Sequence, residues 1–266
     1  MNEYKKSGQF KKLSKQVQYI RMLYIPKITA SPVIGFVEFG NVPLSKITPA
    51  TIKRFLEKFN DKPGARDHIR KTISSAWTWG REYYDEVPRN PCLELKAAPR
   101  TSRTRYITDD EYAVVYYIAP SFWKAMMEFA YICRARRIEL VRMTHDQILE
   151  KGIQLRRAKG SLDEITLWTP RLKKAYQIIS ELRRETKSDY LFCDTNGTQM
   201  KKDTLDSQWQ KIMGQAHKDG LLEERFNFHD LKAKGVSDHE GLISGHKTLQ
   251  AKQVYIRKTQ EVKGTK

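Results

Sequence analysis

Near the carboxyl end of the chain, Tyr255 follows two histidines, His229 and His246, the second of them nine positions earlier. A tyrosine hydroxyl can attack phosphorus or carbon when neighbouring groups take its proton and stabilise the charge on its target. Its reference pKa is about 10, so at neutral pH the proton must leave as the attack occurs. A lone histidine is more often structural than catalytic, but two histidines followed by a tyrosine form a more specific signal. The segment therefore predicts a nucleophile, Tyr255, with proton-transfer groups beside it.

An arginine-rich turn upstream, residues 133–137, contains a second group that could act on a phosphate. A phosphodiester is an anion, and a guanidinium both stays charged and offers parallel N–H donors to two oxygens. Arg136 is the candidate, because Glu139 lies three residues further on and can hold it in place. Taken alone, Arg134, Arg136 and Arg137 are more simply interpreted as an exposed basic turn. The histidines and the tyrosine downstream favour the catalytic interpretation.

Together these motifs resemble those of the tyrosine recombinases of the phage integrase type. Members of that family carry an Arg-x-x-Glu-Leu element, a lysine in a β-hairpin turn, a His-x-x-Arg element, a Gly-His pair and a later tyrosine. The corresponding residues here are Arg136, Glu139 and Leu140, then Lys159, then His229 and Lys232, then Gly245 and His246, and finally Tyr255. The resemblance extends over the amino-terminal half as well, so it covers nearly the whole chain.

The resemblance implies a role for each of these residues. Arg136 would neutralise the phosphate, His229 would assist as general base, and His246 would donate a hydrogen bond to a phosphate oxygen. Lys159, at the tip of a turn, would be the general acid that protonates the leaving 5′-oxygen. Other basic residues nearby leave that assignment open: Lys151, Arg156 and Arg157.

One position departs from the family pattern, since Lys232 stands where the family has its second arginine. Lysine keeps a positive charge but gives up the planar, two-pronged contact of a guanidinium, so the change is not conservative. If Lys232 touches the scissile phosphate, the loss of rate is on the order of 10²–10³, as for removal of one transition-state donor. An attenuated enzyme is therefore one expectation.

The overall charge favours a polyanionic partner. The 266 residues contain 49 Lys and Arg against 31 Asp and Glu, for a formal charge of +18. Such an excess suits nucleic acid or an anionic membrane. The sequence has no apolar run of transmembrane length, no signal peptide and no lipidation signal, so a membrane is not the expected partner. The expected partner is double-stranded DNA.

No cofactor or metal is expected. Cys92, Cys133 and Cys193 are far apart and form no C-x-x-C pair, so each is interpreted as a small core residue. The chain has no acidic cluster with metal-site spacing, and by resemblance cationic side chains replace the metal ions that many nucleases use. The cysteine pattern indicates a reduced, cytoplasmic protein, in a bacterial or phage-infected cell.

Residues 1–95 are predicted to form a helical domain, which by resemblance is the core-binding domain that clamps DNA. Thr48 can cap a helix that Pro49 begins, and a helix after residue 64 runs to about residue 85. A further amphipathic helix has its apolar face at Val17, Ile20, Leu23 and Tyr24. Trp77 and Trp79 are interpreted as core residues, with base stacking as the alternative.

Residues 96–105 read as a basic linker, either solvated or crossing a phosphate backbone, and residues 106–266 as the catalytic domain. Thr108 and Glu111 form a capping box at the start of that domain. Strands at residues 153–157 and 165–168 flank the turn that carries Lys159, and residues 190–193 are predicted to form another short strand. The expected fold is mainly α with a small antiparallel sheet.

These observations predict a two-domain integrase of a phage or mobile element that cuts and rejoins DNA through a 3′-phosphotyrosyl intermediate. By resemblance it would work as a homotetramer on synapsed attachment or recombination sites, and a DNA-bending accessory protein is a candidate further partner. A DNA-binding protein impaired by Lys232 and a type IB topoisomerase are the alternatives.

Overall fold

The computed structural model describes residues 1–99, 104–158, 162–239 and 255–257. The chain divides into two compact units, Met1–Ser102 and Arg103–Lys266, each described here by itself.

The first unit contains helices and one β-hairpin. Its helices are α1 (Asn2–Lys6), α2 (Gly8–Lys11), α3 (Lys15–Thr29), α4 (Pro49–Glu57) and α5 (Pro63–Tyr83), and its strands are β1 (Pro32–Ile34) and β2 (Val37–Glu38). The strands pair antiparallel, with Gly35 at a φ of 54° in the turn, a conformation that glycine adopts without strain. Strands this short show no alternating pattern, which explains why the sequence predicted only helices here.

The core of the first unit confirms most of the helix predictions. The Thr48 side chain caps α4 by accepting a hydrogen bond from the backbone of Thr51. Trp77 and Trp79 are both buried, and the Trp77 indole donates to the Pro88 carbonyl at 2.7 Å, in agreement with a role in the core. The predicted face of α3 is right in part: Val17, Ile20 and Tyr24 are half-buried, but Leu23 is 47% exposed. The fully buried residues of this helix are Ile25 and Ile28, in its last turns.

The second unit consists of helices around a three-stranded antiparallel sheet in the order β3-β4-β5. The strands are β3 (Ile148–Leu149), β4 (Gly152–Leu155) and β5 (Glu164–Leu167). The helices are α6 (Asp109–Ile118), α7 (Ser121–Ile132), α8 (Arg137–Leu140), α9 (Pro170–Leu182), α10 (Lys202–Lys218) and α11 (Phe228–Asp238).

Helix α7 lies at the centre of the second unit and packs against α9 and α11. Its residues Met126, Phe129 and Ala130 are fully buried. The capping box of Thr108 and Glu111 begins α6 as expected. Residues 190–193 do not form the predicted strand, because Tyr190 and Cys193 each make only an isolated bridge. Within the described residues, no helix is long and apolar enough to cross a membrane.

Candidate active site

Arg136 lies at the start of α8, directly after a sharp turn of the backbone. Arg134 adopts a φ of 52°, the left-handed conformation that non-glycine residues rarely take, and this turn separates α7 from α8. Glu139 accepts two hydrogen bonds from Arg136, one from the guanidinium at 2.7 Å and one from the backbone N–H at 2.8 Å. The predicted support of Arg136 by Glu139 is therefore present.

The charges of this pair reinforce each other. Burial alone would raise the pKa of Glu139, but hydrogen bonds from Arg136 and the charge of Arg157 hold it below its usual value. Burial would lower the pKa of Arg136, but Glu139 and Tyr255 raise it instead. Both groups therefore stay charged at neutral pH, as a phosphate-binding guanidinium requires.

Helix α11 carries the next two predicted residues. Asn227 and Asp230 form a capping box at its start, and His229 lies in the first turn with an exposed side chain. Partial desolvation lowers the pKa of His229, and the positive charges of Lys232 and Arg136 add to this effect. The imidazole is therefore neutral at pH 7, the form that can accept a proton.

Lys232 lies one turn further along α11 and is only 1% exposed. Burial lowers its pKa to about 7, and the charges of Arg157 and Arg136 lower it more than Glu139 and Glu164 raise it. In the described part of the chain, no carboxylate forms an ion pair with it. Lys232 is thus divided between its charged and neutral forms near pH 7.

Tyr255 is half-buried beside these groups. Its ring centroid lies 5.9 Å from that of His229, and the Lys232 Nζ lies 5.2 Å from the centre of the Tyr255 ring. Its hydroxyl is a hydrogen-bond and charge partner of the Arg136 guanidinium. Burial lowers the pKa of Arg136, and Tyr255 raises it together with the larger contribution of Glu139. The structure therefore brings together Arg136, Glu139, His229, Lys232 and Tyr255. Lys159 and His246 lie outside the described residues.

Ser237, also on α11, ties the tyrosine segment to the helix. Its hydroxyl donates to the Tyr255 carbonyl at 3.0 Å and accepts from the Arg257 N–H at 2.9 Å. The Arg257 guanidinium in turn donates to Asp230 at 2.8 Å. One helix thus bears two of the predicted site residues and anchors a third.

Gly235 lets α11 approach α7 closely. A Cβ atom at this position would overlap the carbonyl oxygen of Tyr131 and lie 3.3 Å from the Arg134 side chain. The sequence interpretation passed over this residue, although a glycine inside a helical pattern is itself a signal of close packing. Its absent side chain sets the distance between α11 and the turn that leads to Arg136.

Lys234, buried on α11, has surroundings opposite to those of Lys232. Its ammonium group forms ion pairs with Asp109 at 2.6 Å and Asp238 at 3.1 Å. Burial would lower its pKa, but hydrogen bonds to Asp109, Tyr106 and Asp238 raise it above the usual value. These contacts join α11 to the start of α6.

The arrangement suits attack by a phenol oxygen on an anionic ester. A guanidinium such as that of Arg136 can bind the anion, and a neutral histidine, His229, lies beside the Tyr255 ring. Among the described residues, no group of histidine, cysteine or acidic side chains has the arrangement of a metal site. The three cysteines are free and buried, and burial raises the pKa of Cys92 and of Cys133 to about 12.

Comparisons with known proteins agree with this arrangement. Residues 106–239 match the model of the phage integrase family. The tyrosine recombinase XerD of Pseudomonas putida is 29% identical over 148 residues, which are 50% of this chain and 48% of XerD. The chain thus spans about half the length of this curated relative.

Solved structures share the fold at low sequence identity. A lambda integrase dimer bound to a COC′ core site has a TM-score of 0.77 and 19% identity, covering 100% of this chain and 97% of that one. The Tn1549 transposon integrase in complex with circular intermediate DNA has a TM-score of 0.72 and 12% identity, covering 94% and 92%. A lambda integrase tetramer bound to a Holliday junction has a TM-score of 0.75 and 20% identity, covering 99% and 78%. These likenesses confirm the predicted fold of helices with a small antiparallel sheet. With half of its length matched by the family model, the chain belongs to the phage integrase family of tyrosine recombinases.

Proposed function

We propose that this protein is a site-specific DNA recombinase that cuts and rejoins DNA through a 3′-phosphotyrosyl intermediate on Tyr255. The observation that carries the proposal is the cluster of Tyr255 with His229, Lys232 and the guanidinium of Arg136. Family membership supports it, since the matched relative is named a tyrosine recombinase.

In the proposed reaction the Tyr255 oxygen bonds to phosphorus as the phosphorus–O5′ bond breaks. Arg136 neutralises the nonbridging oxygens, and His229 takes the phenol proton, for which its neutral form is required. Lys159 donates a proton to the leaving 5′-oxygen, and His246 donates a hydrogen bond to a phosphate oxygen. A free 5′-hydroxyl can reverse the step without ATP, because the phosphotyrosine preserves the ester bond.

The partner we propose is double-stranded DNA at attachment or recombination sites, bound by a homotetramer on two synapsed duplexes. The basic charge of the chain supports a DNA partner. The likeness to a lambda integrase tetramer bound to a Holliday junction supports the assembly. We propose that the protein comes from a phage or mobile element and acts in the cytoplasm. A DNA-bending protein is a candidate accessory factor.

Each part of the chain has a place in this proposal. Residues 1–95 clamp one side of the DNA, residues 96–105 cross the phosphate backbone, and residues 106–266 catalyse strand exchange. The division of the chain into its two compact units falls between residues 102 and 103, within the linker proposed from the sequence.

The test is formation of a covalent protein–DNA adduct. Wild-type protein is incubated with end-labelled, nicked duplexes that tile the DNA flanking its gene, and adducts are separated on denaturing gels. We expect an adduct at one of these sites, lost in Tyr255→Phe. Relaxation of any supercoiled plasmid without site dependence would instead identify a type IB topoisomerase.

Lys232→Arg restores the family arginine and tests whether this position limits the rate. We expect faster adduct formation, by a factor on the order of 10²–10³. Lys234→Arg, at the other buried lysine of α11, serves as the matched control. An unchanged or lower rate in Lys232→Arg would show that this position is not the missing arginine. An adduct absent from both wild type and Lys232→Arg would support a DNA-binding protein without catalysis.

A further inference from the structure

Arg157, which follows β4, has a side chain that is fully buried, with 0% exposure. Its guanidinium donates to the carbonyl oxygens of Arg134 at 2.9 Å and Cys133 at 3.0 Å. It also donates to Glu139 at 3.0 Å and forms an ion pair with Glu164. Taking a charged group out of water is costly, so these contacts offset a large penalty. An apolar residue would fill the same space at a lower cost.

The contacts of Arg157 converge on the turn that leads to Arg136. The carbonyls of Cys133 and Arg134 belong to this turn, and Arg134 holds the strained left-handed conformation described above. A backbone conformation of this kind is strained and persists only when its surroundings fix it. Arg157 supplies two of the bonds that fix it.

Arg157 also controls Glu139, the residue that holds Arg136. One carboxylate oxygen of Glu139 accepts from the Arg136 guanidinium, and the other accepts from the Arg136 backbone and from Arg157. Without Arg157, Glu139 could turn toward a different donor and the Arg136 guanidinium would lose its fixed direction. The same guanidinium binds Glu164 on β5, so the sheet and α8 are joined through it.

Arg157 is the neighbour with the largest electrostatic effect on Lys232. The charged and titratable groups around Lys232 are Arg157 after β4, Arg136 before α8, Glu139 on α8, Glu164 on β5, and Tyr255. His229 lies on the same helix. Loss of Arg157 would leave Glu139 and Glu164 less neutralised, so Lys232 would hold its proton more tightly.

From this geometry we propose that Arg157 is a positioning residue of the active site: it fixes the turn and the Glu139 carboxylate that aim Arg136, and it keeps a positive charge beside Lys232. Its side chain is buried, so it acts through these neighbours. The proposal rests on the recombinase function proposed above.

The first test measures adduct formation by Arg157→Gln and Arg157→Lys on the nicked duplex that wild type cleaves. We expect Arg157→Gln to slow adduct formation by about 10²-fold per folded molecule, the scale of a misplacement by about 1 Å, with DNA affinity nearly unchanged. Arg157→Lys should recover part of the rate, since it keeps the charge but cannot reach all four acceptors. Arg184→Gln is the control, because Arg184 is exposed just after α9 and is not among the candidate site residues.

The second test needs no DNA, so it separates this proposal from the recombinase function. The protein is labelled with ¹³C at lysine Cε, and the signal of Lys232 is assigned by its loss in Lys232→Arg. We expect this signal to titrate near pH 7 in wild type and in Arg184→Gln, and at least about one unit higher in Arg157→Gln.

Three results would overturn the proposal. One is a folded Arg157→Gln that forms the adduct at the wild-type rate. Another is a Lys232 titration that does not move in that variant. The third is failure of both Arg157 variants to fold, which would mark Arg157 as a structural residue only. If wild type forms no adduct, the recombinase function fails and the titration alone decides the role of Arg157.

Discussion

At the scale of single residues, the contrast between Lys232 and Lys234 shows how surroundings decide the charge of a buried lysine. Both lie on α11 and both are almost fully buried. Lys232 faces other cations and has a lowered pKa, whereas Lys234 faces two aspartates and has a raised one. Burial of a charge is costly unless it is paired, so the first lysine should weaken the fold and the second should strengthen it.

We expect Lys232→Met to remove a pH dependence of stability. The folded protein holds this proton with a pKa of about 7 and the unfolded chain with 10.5, so between these values the unfolded chain binds more protons. The free energy of unfolding therefore rises with pH through this window, by at most about 5 kcal/mol, and is insensitive to Lys232 below it. Urea unfolding of wild type and Lys232→Met at several pH values from 6 to 9 measures the difference.

Lys234→Met is the matched control and should have the opposite effect. It removes the partner of Asp238 and should cost about 1–3 kcal/mol at pH 7, where Lys232→Met should stabilise the protein. Equal effects of the two substitutions would contradict the assigned surroundings.

At the scale of elements, the site depends on how closely α11 lies against α7. Gly235 permits this approach, and the strained turn at Arg134 begins where the two helices meet. The position of Arg136 relative to His229 is thus set by helix packing, with no direct bond needed between them.

Gly235→Ala should force the two helices apart, because its Cβ would overlap the Tyr131 carbonyl. We expect a loss of about 1–3 kcal/mol in the free energy of unfolding, measured by denaturant titration, and slower adduct formation. Gly214→Ala in α10 is the control, since nothing lies within 4 Å of that position and alanine favours helix, so it should stabilise by about 1 kcal/mol. A Gly235→Ala protein as stable as Gly214→Ala would refute the close approach.

The sequence predicted the elements that local rules determine. The caps at Thr48 and Thr108 are local hydrogen bonds, and both are present. The motif residues Arg136, His229 and Tyr255 could be named from their family pattern. Arg157 could not, because its importance comes from carbonyls and carboxylates on other elements. The exposure of Leu23 on α3 was not predicted either. A helix with apolar residues on several sides leaves the choice of its buried face to tertiary packing.

At the scale of the whole molecule, the formal charge of +18 is the dominant property. Each phosphate that a lysine or arginine neutralises releases a counterion, so binding to DNA should weaken steeply as salt rises. This effect depends on the number of contacts and does not require a recognised sequence.

We expect the logarithm of the DNA association constant to fall linearly with the logarithm of salt concentration, at about −0.9 per phosphate contacted. Fluorescence anisotropy with a labelled duplex, from about 50 mM to about 200 mM NaCl, measures this slope. An uncharged crowding agent at matching osmolality is the control. A flat response would remove the electrostatic basis for a DNA partner.

The hydrogen bonds from Ser237 to the backbone of residues 255 and 257 bear on which subunit supplies the tyrosine to each active site. Because the proposed nucleophile, Tyr255, is held by hydrogen bonds to the helix that bears His229 and Lys232, we expect each protomer to cut with its own tyrosine and not with that of a neighbour. Two variants that are each expected to be inactive, Tyr255→Phe and Arg136→Ala, should therefore form no adduct when they are mixed. Recovery of adducts in the mixture would mean that tyrosines are donated between copies, and wild-type protein diluted with Tyr255→Phe would calibrate how far subunits exchange.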